Sequence, residues 1–248
     1  LSTVTIGDDV YGVPFTGNTW FLYYNKDIFT ADDVKNLDTM LSKGKVSFKL
    51  TDSWYIGGFY IGNGCTVFGA DGKDEKAGVD LTGDKATDVT KYLVDLAANP
   101  NFVNDADQSG ITGFNDGTIG AFFSGTWDKS NIKLDKSKVG VVAAPTYTLN
   151  GKENQMTAFA GSKSIGVNPN CKYPQVAVAL ALYLGSDEAQ ISHYEARGII
   201  PCNTGAVSND KVAADEMAVA QNDTMNNKSV MQPTCKGMIN WWTPAENM

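Results

Sequence analysis

One short run of residues limits the fold of this chain more than any other. Residues 19–24 read Thr-Trp-Phe-Leu-Tyr-Tyr, without the polar alternation of a strand that faces water on one side. Such a continuous apolar run predicts a strand buried on both faces. A sheet that contains this strand needs other elements packed against both of its sides, which favours a layered α/β fold.

Helical patterns recur between the predicted strands. Residues 86–98 place Val89 and Leu93 on one apolar face, and Ser186 begins a helix that Gly198 ends. Strands are predicted at residues 45–50, 119–123, 139–144 and 164–167. This alternation of strands with helices of about ten or more residues indicates an α/β fold with a largely parallel sheet.

The charge balance argues against two classes of partner. The chain carries 28 acidic and 20 basic residues, for a formal net charge of −8. Nucleic acid and anionic lipid are bound by clustered Lys and Arg, so neither is predicted as a partner. A neutral or cationic ligand is easier to accommodate on such a surface.

Catalytic and metal-binding patterns are weak. The only histidine, His193, lies within a predicted helix, and no nucleophile elbow, P-loop or dinucleotide fingerprint is present. Residues 105–110 resemble the first half of a calcium loop, but the twelfth position is Asp116 instead of glutamate. We therefore predict no catalytic residue, no metal site and no cofactor. Carboxylates are numerous enough to leave a glycosidase pair open.

The positions of the tryptophans are the main indication of a ligand-binding surface. Four of the five, namely Trp54, Trp127, Trp241 and Trp242, stand beside turn residues instead of inside periodic runs. Flat rings at loop tips suit the C–H face of a pyranose, with polar side chains bonding the hydroxyls. Tryptophan also fills cores, so composition alone leaves this interpretation open.

Four segments, in order and at similar spacing, resemble the family 1 extracellular solute-binding proteins, specifically the maltose/maltodextrin-binding group. The resemblance covers essentially the whole chain. The segments contain VYGVPF with LYYNKD (residues 10–27), FNDG with GTWDKSNI (residues 114–132), GVN with SDEAQ (residues 166–190) and GIIP (residues 198–201).

The resemblance implies a bilobal, type II periplasmic-binding-protein-like α/β fold that closes on a ligand between its lobes. It implies non-catalytic binding of an oligosaccharide, such as maltose or maltodextrin, for the membrane subunits of an ABC importer. The location would be extracellular or periplasmic, with a cell-surface lipoprotein as the full-length form. Carried over position by position, the ligand-binding residues would be the stacking rings Trp54, Trp127 and Trp242, their neighbours Tyr55 and Trp241, the polar Asn18 and Asp52, and the apolar Met231.

The same resemblance implies a division of the chain. Residues 1–15 would be a hinge strand, residues 16–157 and 208–248 the C-terminal lobe, and residues 158–207 a returning segment of the N-terminal lobe. The chain then resembles a fragment that lacks most of the N-terminal lobe. Because residues 175–184 are apolar on nearly every face, we expect them to be exposed or covered by a second chain or copy, through Val178, Leu180, Leu182 and Leu184.

Because of two departures from the family pattern, the resemblance does not fix the identity of the sugar. Lys129 stands where a second tryptophan is expected, and no arginine follows Trp242. The alternatives are a hydrolase with tryptophan subsites and a binder of a different small solute. The resemblance also places Cys202 and Cys235 near the cleft rim, where export would permit a disulfide, with Cys65 and Cys171 free.

Overall fold

The computed structural model describes residues 2–248 and, for Ser2, only the backbone. Its helices are α1 (Leu37–Leu41), α2 (Ser53–Gly62), α3 (Gly83–Ala98), α4 (Ser109–Asp116), α5 (Pro174–Leu184), α6 (Asp187–Arg197), α7 (Thr204–Val207), α8 (Asp210–Ala213), α9 (Glu216–Asn227) and α10 (Ile239–Glu246). Short 3-10 helices are Ser2–Val4, Asp33–Lys35, Thr126–Asn131, Lys136–Lys138 and Lys236–Met238.

The strands fall into one large sheet, one smaller sheet and three two-stranded ribbons. They are β1 (Thr5–Ile6), β2 (Asp9–Val10), β3 (Val13–Asn18), β4 (Phe21–Asn25), β5 (Val46–Phe48), β6 (Thr66–Val67), β7 (Val79–Asp80), β8 (Phe102–Asn104), β9 (Ala121–Ser124), β10 (Val139–Val142), β11 (Thr146–Leu149), β12 (Lys152–Gln155), β13 (Ala158–Ile165) and β14 (Ser229–Met231).

The large sheet has the order β10-β4-β9-β5-β8 and is buried on both faces around β4. Leu22 and Tyr24 belong to the larger hydrophobic core, whereas Phe21 and Tyr23 belong to a second core on the opposite face. The expectation of a strand buried on both sides is therefore confirmed. Helices α2 and α3 contribute to the larger core, and α4 and α9 contribute to the second.

The expectation of a largely parallel sheet is wrong for half of its pairings. Strand β5 is parallel to β8 and β9, but β4 is antiparallel to both β9 and β10. Among the five strands of this sheet, β4 alone runs against the others. Parallel and antiparallel neighbours both satisfy the backbone hydrogen bonds, so a burial pattern that predicts a strand does not fix its direction.

The smaller sheet, in the order β14-β13-β3, adjoins this entry point. Strand β13 is antiparallel to β3 and parallel to β14. Thr19 donates its hydroxyl to the carbonyl of Phe159 at 3.0 Å and so joins the β3–β4 passage to β13. Ile200, within the segment predicted to return to the other lobe, is buried in the second core with Phe21.

Local capping signals predicted several helix ends. Ser186 accepts a hydrogen bond from the Ala189 amide at the start of α6, and Gly198 ends that helix with a φ of 66°. The predicted helix over residues 210–226 is instead divided into α8 and α9. The carboxylate of Asp215 accepts a bond from the Met217 amide and starts a new helix there.

The predicted disulfide is wrong, because all four cysteines are free thiols. The amide of Cys202 donates to the Gln190 side chain beside α6 at 2.9 Å. The thiol of Cys235 instead donates to the carbonyl of Gly72 at 3.3 Å. The two residues are thus held by different parts of the fold. Among residues 2–248, no helix has the length and apolarity needed to cross a membrane.

Helix α5 leaves most of its apolar side chains in solvent, as the sequence led us to expect. Leu180 is 56% and Leu182 60% exposed, Val178 is also exposed, and Leu184 is half-buried. Ala181 is the one buried residue of this helix. Within residues 2–248, α5 thus presents an uncovered apolar face.

This exposure predicts a contrast between neighbouring substitutions in the 248-residue chain. Replacing both Leu180 and Leu182 by lysine should change the free energy of unfolding by less than about 1 kcal/mol, since exposed positions tolerate substitution and leucine and lysine have similar helix propensities. Ala181→Lys, the buried control, should cost about 3 kcal/mol or more. Urea unfolding followed by circular dichroism measures both. Equal destabilisation by the two variants would contradict the exposed placement of this face.

Candidate functional site

The first turn of α2 holds Trp54 in a defined position. The Asp52 carboxylate caps the helix by accepting a hydrogen bond from the Trp54 amide at 2.8 Å. The indole Nε1 of Trp54 donates to the side-chain oxygen of Gln232 at 3.0 Å. Trp54 is half-buried, so one part of the ring packs on the protein and the rest faces solvent.

Trp127 lies beside Trp54 on a different element, the 3-10 helix Thr126–Asn131 that follows β9. The two ring centroids are 6.0 Å apart and the ring planes are inclined by 51°. Trp127 is 38% exposed. Together these two residues, here called the tryptophan pair, form an angled aromatic surface that is open to solvent.

Gly125 makes room for the Trp127 ring. A Cβ atom at position 125 would overlap the six-membered ring of that indole. The φ of Gly125 is −114°, so the requirement is for space and not for left-handed backbone. Any side chain at this position would therefore push the Trp127 ring out of its place beside Trp54.

A buried hydrogen bond anchors the loop that carries Trp127. The Tyr23 hydroxyl, on β4, donates to the carbonyl of Gly125 at 2.8 Å. Burial, with smaller contributions from the carboxylates of Asp128 and Asp215, raises the pKa of Tyr23 far above its usual value. The phenol therefore stays protonated and remains a donor.

A second polar group below the tryptophan pair fixes the end of β9. Ser124 donates its hydroxyl to the Asp128 carboxylate at 2.5 Å, and the side-chain amide of Asn131 donates to the same carboxylate at 3.0 Å. Burial, with smaller contributions from the carboxylates of Asp52, Asp128 and Asp105, raises the pKa of Tyr55 well above its usual value. Tyr55 is also stacked on Trp20 with ring centroids 5.7 Å apart.

The structure separates the eight predicted site residues by their exposure to solvent. Trp54 and Trp127 come together and face solvent. Tyr55 and Trp241 are buried, so their rings are not open to solvent, and Tyr55 packs edge-on against Trp54. The Trp241 indole donates to the carbonyl of Ser53 at 3.1 Å, and this bond fixes α10 on the first turn of α2. The expectation of rings at loop tips is thus wrong, because all four tryptophans lie in helical turns.

The remaining predicted residues are half-buried and lie on other elements of the fold. Trp242 is half-buried against the larger core, and no ring contact among the described residues joins it to the tryptophan pair. Asn18 is half-buried on β3, opposite Gly161, and Met231 is half-buried on β14, opposite Ala160. Their contact with a ligand stays a prediction.

Two supporting residues were absent from the sequence prediction. Gln232 and Trp54 are separated by 178 positions in the chain, and no local pattern connects them. Tyr23 was predicted only as part of a buried strand. The hydroxyl of a tyrosine in such a strand needs a polar partner, and this was the available signal.

The carboxylates closest in sequence to the tryptophan pair already have partners. Asp52 caps α2, and Asp128 accepts bonds from Ser124 and Asn131. Within the described chain, no group of three or more His, Cys, Asp or Glu side chains could hold a metal ion.

Comparison with known proteins gives a consistent result. The family model described as bacterial extracellular solute-binding protein matches residues 1–220. A maltooligosaccharide ABC transporter solute-binding lipoprotein of Streptococcus pneumoniae R6 is 30% identical over 257 residues, covering 96% of this chain and 60% of that protein. The maltodextrin-binding protein MdxE of Bacillus subtilis is 28% identical and covers 100% of this chain and 63% of its own length.

Solved structures agree with these relatives. A structure with acarbose is 50% identical, with a TM-score of 0.94, over 99% of this chain and 65% of that chain. MalX from Streptococcus pneumoniae in complex with maltopentaose is 27% identical, with a TM-score of 0.82, over 99% and 69% of the two chains. This chain thus spans about 60% of the length of the curated relatives it matches. The predicted type II binding-protein fold is confirmed, and the chain belongs to the bacterial extracellular solute-binding protein family.

Proposed function

We propose that this chain binds an oligosaccharide of the maltose/maltodextrin class without chemical change, for delivery to an ABC importer. The observation that carries the proposal is the tryptophan pair, two partly exposed rings 6.0 Å apart on a rigid support. The names of the relatives, a maltooligosaccharide-binding lipoprotein and a maltodextrin-binding protein, support the sugar class.

The geometry of the pair suits a curved chain of sugars. Each indole offers one flat apolar surface to the C–H face of a pyranose. The 51° angle between the rings would let neighbouring sugars turn relative to each other, as linked sugars in a bent chain do. Asn18, Asp52, Met231 and Trp242 are proposed as additional contacts around this surface.

Binding without catalysis is supported by the structural hydrogen bonds that the nearby carboxylates accept. A glycosidase needs one protonated and one free carboxyl group on opposite sides of the scissile bond, about 5–9.5 Å apart. Asp52 and Asp128 instead accept structural hydrogen bonds from the Trp54 amide, Ser124 and Asn131. The hydrolase with tryptophan subsites is therefore the less supported alternative.

Delivery would depend on closure of two lobes around the sugar, with the closed form recognised by the membrane subunits of the importer. We propose the lobe division that the resemblance implies, with residues 158–207 as the returning segment of the N-terminal lobe. Ile200 is buried in the same core as Phe21, which favours a return to the C-terminal lobe near residue 200. A lipoprotein anchored at the cell surface is the proposed full-length form, by analogy with the named lipoprotein of Streptococcus pneumoniae.

The exposed face of α5 is proposed to be covered by further residues of the first lobe. The relatives match this chain over only 60–63% of their own length, so they contain additional protein to pack on this helix. A contiguous apolar face with Leu180 and Leu182 more than half exposed is uncommon on a free soluble surface. A second copy bound at this face would be seen instead as a dimer by light scattering.

Removing one ring of the pair should weaken sugar binding strongly. Trp127→Ala should lower the affinity for maltotriose at least tenfold, or about 1.4 kcal/mol, because an entire stacking surface is lost. Isothermal titration calorimetry measures the change. Val94→Ala, which shortens an exposed side chain on α3, serves as the control and should leave the affinity unaltered. An unchanged affinity in Trp127→Ala would exclude the pair as the sugar site.

Displacing the Trp127 ring without removing it should also weaken the binding of maltotriose. Gly125→Ala places a methyl group where the Trp127 ring lies, so affinity for maltotriose should fall about as far as in Trp127→Ala. Gly166→Ala is the matched control, because its added methyl group would meet only one atom, 3.9 Å away. Near-normal binding by Gly125→Ala would show that the position of Trp127 is not important.

Incubation with maltodextrin should release no new reducing ends. The proposal assigns no acid or base, so a reducing-sugar assay should match the buffer blank over hours. Measurable turnover that disappears on changing Asp52 or Asp128 to alanine would favour the hydrolase.

A further inference from the structure

A basic pocket opens beside Trp127, one ring of the tryptophan pair. It has a volume of about 310 Å³, and its walls include Trp127, Phe15 and Thr16 together with the cations Lys129, Lys163 and Arg197. None of the described residues that line it is acidic. This composition is unexpected in a chain whose net charge is −8.

Each cation reaches the pocket from a different element. Lys163 lies on β13 directly opposite Thr16 of β3, and its Nζ is 6.0 Å from the Trp127 ring centroid. Arg197 is the last residue of α6, and Lys129 belongs to the 3-10 helix that carries Trp127. Three separate elements therefore bring positive charge to one wall of the site.

Only part of this charge is neutralised within the described chain. The Nζ of Lys129 is 3.7 Å from the Asp215 carboxylate. Neither Lys163 nor Arg197 makes an ion pair with a described carboxylate. Two cations that share a pocket without a counter-charge provide a preformed place for an anion.

We infer that this site accepts a saccharide that carries an oxyanion, a carboxylate or a phosphate ester, next to the sugar ring stacked on Trp127. The inference rests on the proposed function and narrows its substrate class. The planar fork of Arg197 suits two oxygens of one oxyanion, and Lys163 adds a second donor from strand β13 of the pocket lining. The cavity of about 310 Å³ leaves room for such a group beside the stacked ring.

Calorimetry with three ligands tests this inference in the full-length protein. The probes are maltotriose, maltotrionate, which carries a carboxylate at its oxidised end, and a maltotriose phosphate ester. We expect at least one anionic probe to bind about tenfold more tightly than maltotriose at low salt, and this advantage should shrink at about 0.5 M salt because screening weakens it. The probe with the larger gain identifies the oxyanion as carboxylate or phosphate.

Substituting the pocket cations then tests whether they cause the higher affinity for the anionic probe. In Lys163→Ala and in Arg197→Ala, the affinity ratio of anionic to neutral ligand should fall towards one. Lys91→Ala removes one charge from an exposed position on α3 and should preserve the ratio. Tight maltotriose binding with no anionic advantage would overturn this inference alone. Failure of all three probes to bind would overturn both the inference and the proposed function.

Discussion

Burial of β4 on both of its faces is the constraint on which the rest of the site depends. Leu22 and Tyr24 pack into the larger core, and Phe21 and Tyr23 pack into the second core. A strand in this position cannot shift by one residue without moving each set of side chains to the wrong core. Its register with β9 is therefore fixed, and with it the point at which β9 ends and the loop to Trp127 begins.

Tyr23 extends this constraint to the site. Its hydroxyl bonds to the carbonyl of Gly125, and such a bond contributes about 0.5–1.5 kcal/mol to stability. The free energy of this hydrogen bond is small compared with that of burying β4. The bond nevertheless fixes Gly125, the residue that must leave space for the Trp127 ring. The opposite side of the pair is fixed by α2, whose first turn is held by Asp52, Gln232 and Trp241. Two independent supports thus set the separation of the rings.

Features encoded in contiguous residues were predictable from the sequence. The apolar run around β4, the amphipathic pattern of α3 and the capping Ser186 each depend on neighbours a few positions apart. The apolar character of α5 alone predicted a buried helix, and its exposure was expected only because the family resemblance implied that most of the N-terminal lobe is absent.

Features that join distant residues were not predictable in the same way. The sequence gives no sign that Trp241 turns inward to Ser53 while Trp127 turns outward, since both stand in similar local surroundings. The disulfide prediction failed because Cys202 and Cys235 are held by Gln190 and Gly72 in different places. The prediction of a largely parallel sheet was wrong because β4 runs against its neighbours β9 and β10, and the apolar pattern of a strand does not record its direction.

A crystal structure of the protein with maltotriose tests the central claim most directly, because the sugar rings can be located against the tryptophan pair. We predict that the C–H faces of two neighbouring glucose units lie within about 4 Å of the Trp54 and Trp127 rings. Clear density for maltotriose at another surface, with both rings of the pair uncovered, would contradict the account.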